Sequence, residues 1–127
     1  TVKCEARSLD PAKLKTQVDH MMAAAQNSAA KYESKVDIKL TDCYPAYTIP
    51  DSHPVIQLAA KACRAIGVNP LTKGTGGGSD ANILNGKGLP SVVLGLNYKD
   101  AHSTRESMAV EDLVKVTELV VSIIEHA

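Results

Sequence analysis

Phenylalanine and tryptophan are absent from this 127-residue chain, and tyrosine occurs four times. A core without those rings has to be built from Val, Ile, Leu, Ala and Met. That composition suits close packing of helices on a sheet and excludes an aromatic stacking platform. Net charge is missing too: 14 Lys and Arg balance 14 Asp and Glu. With no basic face, neither nucleic acid nor an anionic membrane surface is an expected partner. Cys4, Cys43 and Cys63 form no CxxC pair, so a zinc knuckle or redox couple lacks its spacing. They read as small core or half-buried residues in a reducing, cytoplasmic setting. No apolar run is long enough to span a bilayer, and no signal peptide or lipidation motif is present, so no membrane partner is expected. Thr1 opens almost directly onto a strand without an initiator Met, and the expectation is a piece of something longer.

What is present is a regular alternation of strand and helix signals. Val2, Cys4 and Ala6 alternate with Lys3, Glu5 and Arg7, which predicts a half-buried strand over Val2 to Ser8. Asp10 and Pro11 open a helix over Pro11 to Glu33, with Leu14, Val18, Met21, Met22, Ala25, Ala29 and Tyr32 on its apolar face. Lys35 to Leu40 alternates again and predicts an edge strand running on towards Tyr47, bent at Pro45. The IPDSHP stretch, Ile49 to Pro54, is a boundary. A second helix follows from Pro54 to about Ile66, with Val55, Leu58, Ala59, Ala62, Cys63 and Ile66 as its buried stripe and Gly67 as its stop. His53 is read as a cap or surface residue of that helix, and His20 as a helix residue with no second ligand at metal-binding spacing.

Pro70 to Lys73 predicts a short strand leading into Gly76, Gly77 and Gly78. Ser79 and Asp80 can cap a short helix over Ala81 to Leu84, stopped by Gly86 and Gly88. Ser91 to Leu96 lacks alternation and predicts a strand buried on both faces. After a polar loop carrying His102, a last helix runs from Val110 to Glu125, with Leu113, Val116, Val120, Ile123 and Ile124 as its apolar face. The fold class expected is α/β: β-α-β, a boundary, then α-β-α-β-α.

The glycine run is not a P-loop, because no Gly-Lys-Ser/Thr follows it, and it fails the GxGxxG spacing. Taken alone it is either a tight strand-to-helix turn or an anion-binding loop of backbone N–H groups. His102 alone is either a solvated loop residue or a ligand. Flanking Asp100 and Glu106 have no partner at metal-binding spacing.

Together, and in this order, EARSLDP with its helix, GGGSDAN with its short helix, an apolar strand, and AHSTRE before a terminal helix resemble the C-terminal part of the dinuclear zinc exopeptidases. The type is that of peptidase T, aminoacylase and glutamate carboxypeptidase, with the peptidase T-like branch nearest. The resemblance covers essentially the whole chain. It implies that 1–49 is the remnant of a lid and dimerisation domain, and that 50–127 is the C-terminal part of a catalytic domain. It also implies that His102 ligates one of two zinc ions. Gly77, Gly78, Ser79, Asp80 and Asn82 would line the substrate pocket, and Arg7 would clamp a substrate carboxylate through its planar fork. The implied substrates are short peptides or N-acyl amino acids, attacked by zinc-bound hydroxide, in a protein that forms homodimers.

The family's HxD motif, bridging aspartate, further acidic ligand and Glu-Glu general base have no counterpart in this sequence. A dinuclear site needs those ligands, so the chain is expected to be inactive by itself and to hold at most one zinc weakly. It would need the missing N-terminal part of the same protein. The alternative is a non-enzymatic carboxylate-binding or interaction module derived from that fold. A third reading is a small independent α/β protein whose glycine loop binds phosphate.

Overall fold

A computed structural model describes residues 1–127. Its regular elements are four helices: α1 (Pro11–Lys31), α2 (Pro54–Ala65), α3 (Asp80–Gly86) and α4 (Val110–His126). α1, α2 and α4 lie where the apolar periodicity placed helices, and α3 where the Ser79 and Asp80 caps and the following glycines placed one. The chain forms two compact units, each made of two segments. Unit 1 is Thr1–Thr48 with Thr75–Gly88, and unit 2 is Ile49–Gly74 with Leu89–Ala127.

The helix ends follow from local chemistry. Asp10 caps α1 by accepting the Ala12 and Lys13 N–H groups at 2.9 and 3.3 Å, and Pro11 fits the first turn. The helix closes through Ser34 N–H on the Ala29 carbonyl (2.9 Å) and Glu33 N–H on that of Ala30 (3.2 Å). This is the Schellman pattern, with Glu33 in the left-handed region at φ 50°. α2 closes the same way through Val68 to Cys63 and Gly67 to Arg64, and here the left-handed residue is Gly67. His53 caps α2, its Nδ1 accepting the Val55 N–H at 3.2 Å.

The strands are where structure and expectation differ. None of the segments 2–8, 35–47, 70–73 and 91–96 forms a strand, so neither the β-α-β nor the α-β-α-β-α order is present as a sheet. The one β contact is an antiparallel bridge between Lys99 and Ser107. The physical reason is that alternation specifies a face and not a partner. A strand needs a neighbour to pair its N–H and C=O groups, and two or three isolated strands cannot stabilise one another. Their apolar residues are correspondingly uncovered: Val2, Val36, Leu40, Leu71, Val93 and Leu96 are all exposed.

Burial is concentrated in few places. α1 turns Leu14, Val18, Met21, Met22, Ala25 and Ala29 to a half-buried face, while Tyr32 is exposed. In unit 2, α2 packs on α4. Ala62 is fully buried at that contact, and the Ser122 hydroxyl donates to the Ala62 carbonyl at 3.3 Å. Ile56, which the expected stripe omitted, is buried, as is Leu119. Leu113, Val120 and Ile124, expected to be covered, are exposed. α4 is apolar on more than one side, so periodicity alone did not select the side that meets α2. Cys4 and Cys43 are exposed rather than in the core, Cys63 is half-buried, and no disulfide is formed. No helix is long and apolar enough to cross a membrane.

Candidate functional site

In unit 1 the glycine run enters α3 through a capping box. The Ser79 side chain accepts the N–H of Asn82, and the Asn82 Oδ1 accepts the N–H of Ser79 at 3.0 Å. Asn82 is only 8% exposed. Its other side-chain atom, Nδ2, donates to the carbonyl of Pro45 at 2.9 Å. Both ends of the amide are therefore paired within the protein, and Asn82 ties α3 to the 43–45 segment. Gly77 donates its N–H to Thr75 Oγ1 at 3.0 Å. Asp80 opens the first turn of α3 and is exposed.

Two glycines at the ends of α3 are required by close approach. A methyl group at Gly78 would overlap the hydroxyl and ring of Tyr44, and one at Gly86 would lie 2.9 Å from Pro45 Cγ. Tyr44 and Pro45 thus clasp α3 from its start to its end, with Asn82 as the pin between them. Tyr44 and Pro45 went unrecognised in the sequence, because no local pattern marks a contact made 37 residues away.

Arg7 is in the same unit. Its Nε donates to the Glu5 carboxylate, two residues along the same face. Glu5 is held below the usual carboxylate range, first by that hydrogen bond and then by the Arg7 charge. Arg7 is raised reciprocally, by the Glu5 hydrogen bond and charge, with smaller contributions from nearby Tyr44 and Cys43. Both side chains are largely exposed, so water screens the pair and its worth to stability is small.

His102 belongs to unit 2. Its loop is closed by paired N–H···O bonds between Lys99 and Ser107, at 2.8 and 3.2 Å. Inside, Glu106 Oε2 accepts the His102 N–H at 2.8 Å. The Ser103 hydroxyl donates to the Asp100 carbonyl at 2.7 Å and accepts the Arg105 N–H. Asn97 reaches Asp112 on α4 at 2.8 Å. Asn97, Asp100 and His102 all take left-handed backbone conformations, with φ of 53°, 51° and 61°. Asn, Asp and His are the non-glycine types that tolerate that region best. The result is an exposed imidazole on a backbone fixed by its own hydrogen bonds.

Nowhere do three His, Cys, Asp or Glu side chains come together where a metal could sit. Glu106, the acidic residue nearest in sequence with a contact to His102, is engaged by the backbone N–H. The residues of this chain alone do not fit a zinc centre. A groove of about 480 Å³ runs beside α2 and α4, and it includes none of the predicted site residues.

The structure is similar to that of aminopeptidase PepT from Bacillus cereus ATCC 10987, with a TM-score of 0.77 and 38% identity. The match covers 94% of this chain and 32% of that one. The fold is thus that of part of an exopeptidase. Residues 3–126 match peptidase family M20/M25/M40, and the chain belongs to that family. Among its relatives, the uncharacterized protein YqjE of Bacillus subtilis (strain 168) is 40% identical over 126 residues, 99% of this chain and 34% of the relative. Peptidase T of Exiguobacterium sibiricum is 30% identical over 129 residues, 99% of this chain and 31% of the relative. The chain spans about a third of the length of these relatives.

Proposed function

We propose that this chain is the C-terminal portion of a zinc-dependent exopeptidase of the peptidase T type, acting on short peptides or N-acyl amino acids in the cytoplasm. The observation that carries this reading is the family match across 3–126, with the Arg7, glycine-loop and His102 motifs in the order the family uses. The likeness to a solved aminopeptidase supports it. Residues 1–49 are assigned to a lid that mediates homodimerisation, and 50–127 to the catalytic domain.

In this reading Arg7 binds a substrate carboxylate through the terminal amino groups that Glu5 leaves free. Gly77, Gly78, Ser79, Asp80 and Asn82 form a wall of the substrate pocket. Within that wall Asn82 acts by fixing the loop on Pro45. His102 supplies one zinc ligand. The remaining ligands and the general base come from the rest of the protein, so this chain by itself is inactive and its own residues are assigned no proton transfer.

The test is made on the complete protein that carries these residues. It is expected to hydrolyse di- or tripeptides and to hold two zinc ions per chain by elemental analysis, with His102→Ala lowering the zinc content. Hydrolysis by the isolated 127-residue chain with stoichiometric zinc would overturn the assignment of the missing ligands. Tight carboxylate binding by a complete protein that holds no metal and hydrolyses nothing would replace the enzyme with a binding module.

A further inference from the structure

We propose that Tyr44 is a binding residue for the same substrate carboxylate as Arg7, its phenol donating to that group beside Gly78. This rests on the reading of Arg7 given above and adds a residue to it. The hydroxyl end of Tyr44 lies against Gly78, where a side chain of any size would overlap it. The bare glycine is what allows the phenol to sit on the loop. The Tyr44 hydroxyl makes no hydrogen bond within the protein, and the residue is 38% exposed. Its donor is therefore unused within the protein.

The phenol is also held in place. Its neighbour Pro45 is fixed twice, by the Asn82 amide on its carbonyl and by the approach of its ring to Gly86. A donor held on a rigid segment loses little freedom on binding. Arg7 belongs to the same unit as Tyr44 and the glycine loop, and its guanidinium is raised in small part by Tyr44 and Cys43.

The chemistry suits a carboxylate. Two oxygens offer about four lone-pair sites. With Nε of Arg7 engaged by Glu5, the guanidinium presents its two terminal amino groups. A neutral phenol adds a further donor without adding charge. A phenol donating to an ionised oxygen makes a stronger bond than one donating to a neutral amide. Tyr44 should therefore favour a free carboxylate over its amide.

The experiment uses the complete protein and a pseudodipeptide whose peptide bond is reduced and so cannot be hydrolysed, with its C-terminal amide as the comparison. Binding of each is measured by calorimetry. Tyr44→Phe keeps the ring on Gly78 and removes only the hydroxyl. It is expected to weaken the acid roughly 10-fold or more, as for a lost hydrogen bond to a charged group, and to leave the amide unchanged. Arg7→Ala, measured beside it, should show the same selectivity. Tyr44→Phe without effect, or with equal losses on acid and amide, overturns the role of Tyr44. If Arg7→Ala is selective while Tyr44→Phe is silent, the Arg7 reading survives alone. If Tyr44→Phe is selective while Arg7→Ala is silent, Tyr44 binds the carboxylate and the Arg7 reading fails.

Discussion

Replacing Asn82 by alanine is the sharpest probe of the clasp around α3. The substitution removes an acceptor for the Ser79 N–H and a donor to the Pro45 carbonyl, at 3.0 and 2.9 Å. Each such bond contributes about 0.5–1.5 kcal/mol net, so the local loss is about 1–3 kcal/mol. The site is 8% exposed, so water cannot readily take over both partners. Hydrogen exchange read by mass spectrometry on the complete protein measures the opening of α3 directly. Exchange of the α3 amides should accelerate roughly 5- to 150-fold, the factor that corresponds to that range. Asn82→Asp is the companion. It keeps the acceptor for Ser79 near the start of a helix, but it turns a charged acceptor on the Pro45 carbonyl, 2.9 Å from the atom it replaces, at a site with little water. Its acceleration should match or exceed that of the alanine variant. If Asn82→Ala leaves α3 exchange unchanged but weakens substrate binding, Asn82 is a ligand rather than a pin. If Asn82→Asp exchanges as slowly as the unaltered protein, the bond to Pro45 is not a support.

Four further outcomes are expected. Gly78→Ala drives a methyl group into Tyr44 and should destabilise unit 1 by about 1–3 kcal/mol; adding Tyr44→Ala should restore most of the loss in the same exchange measurement. Glu5→Gln frees the Nε of Arg7 and should strengthen calorimetric binding of a carboxylate ligand by a few-fold, the scale of one exposed ion pair. Because the Glu5 carboxyl titrates below its ordinary 4.5, the pair is complete above that value and is lost as pH falls through the lowered one; the benefit of Glu5→Gln should therefore be constant from pH 6 to 8 and fade only in acid. Ala62→Leu forces extra atoms into the fully buried contact of α2 and α4 and should cost about 1–3 kcal/mol in a denaturant titration, whereas Ser122→Ala, losing a long bond of 3.3 Å to the Ala62 carbonyl and a 3.5 Å contact with His126 Nδ1, should cost about 0.5–1 kcal/mol.

How much of this was legible depends on range. The helices were visible because their signals are local: Asp10 and Pro11 start α1, His53 and Pro54 start α2, and Gly67 stops it. The strands were visible only as patterns. Val36, Ile38 and Leu40 mark a face, but pairing needs a partner the pattern does not name. The same limit hid the clasp. Asn82 stood out as part of GGGSDAN, yet nothing near it in sequence says that its amide reaches Pro45. Glu106 shows the converse, since its backbone bond to His102 is four residues long but follows from left-handed turns that spacing does not reveal. The side of α4 that meets α2 was only partly legible: Val116 and Ile123 are half-buried as expected, but Leu113, Val120 and Ile124 are as apolar as the residues that are covered and are exposed.

The pin between Asn82 and Pro45 has a consequence for the order in which unit 1 is assembled. Closing a loop of 37 residues carries an entropic penalty of about 3 kcal/mol from the length-dependent part alone. α1 has no such debt, being capped at both ends by its own neighbours. α3, with seven residues, is too short to persist in isolation. It therefore takes shape only once the 43–45 segment has arrived, and the glycine loop takes shape with it. The surface proposed to meet substrate is a late product of folding, and the first part of its unit to go when that distant segment is disturbed.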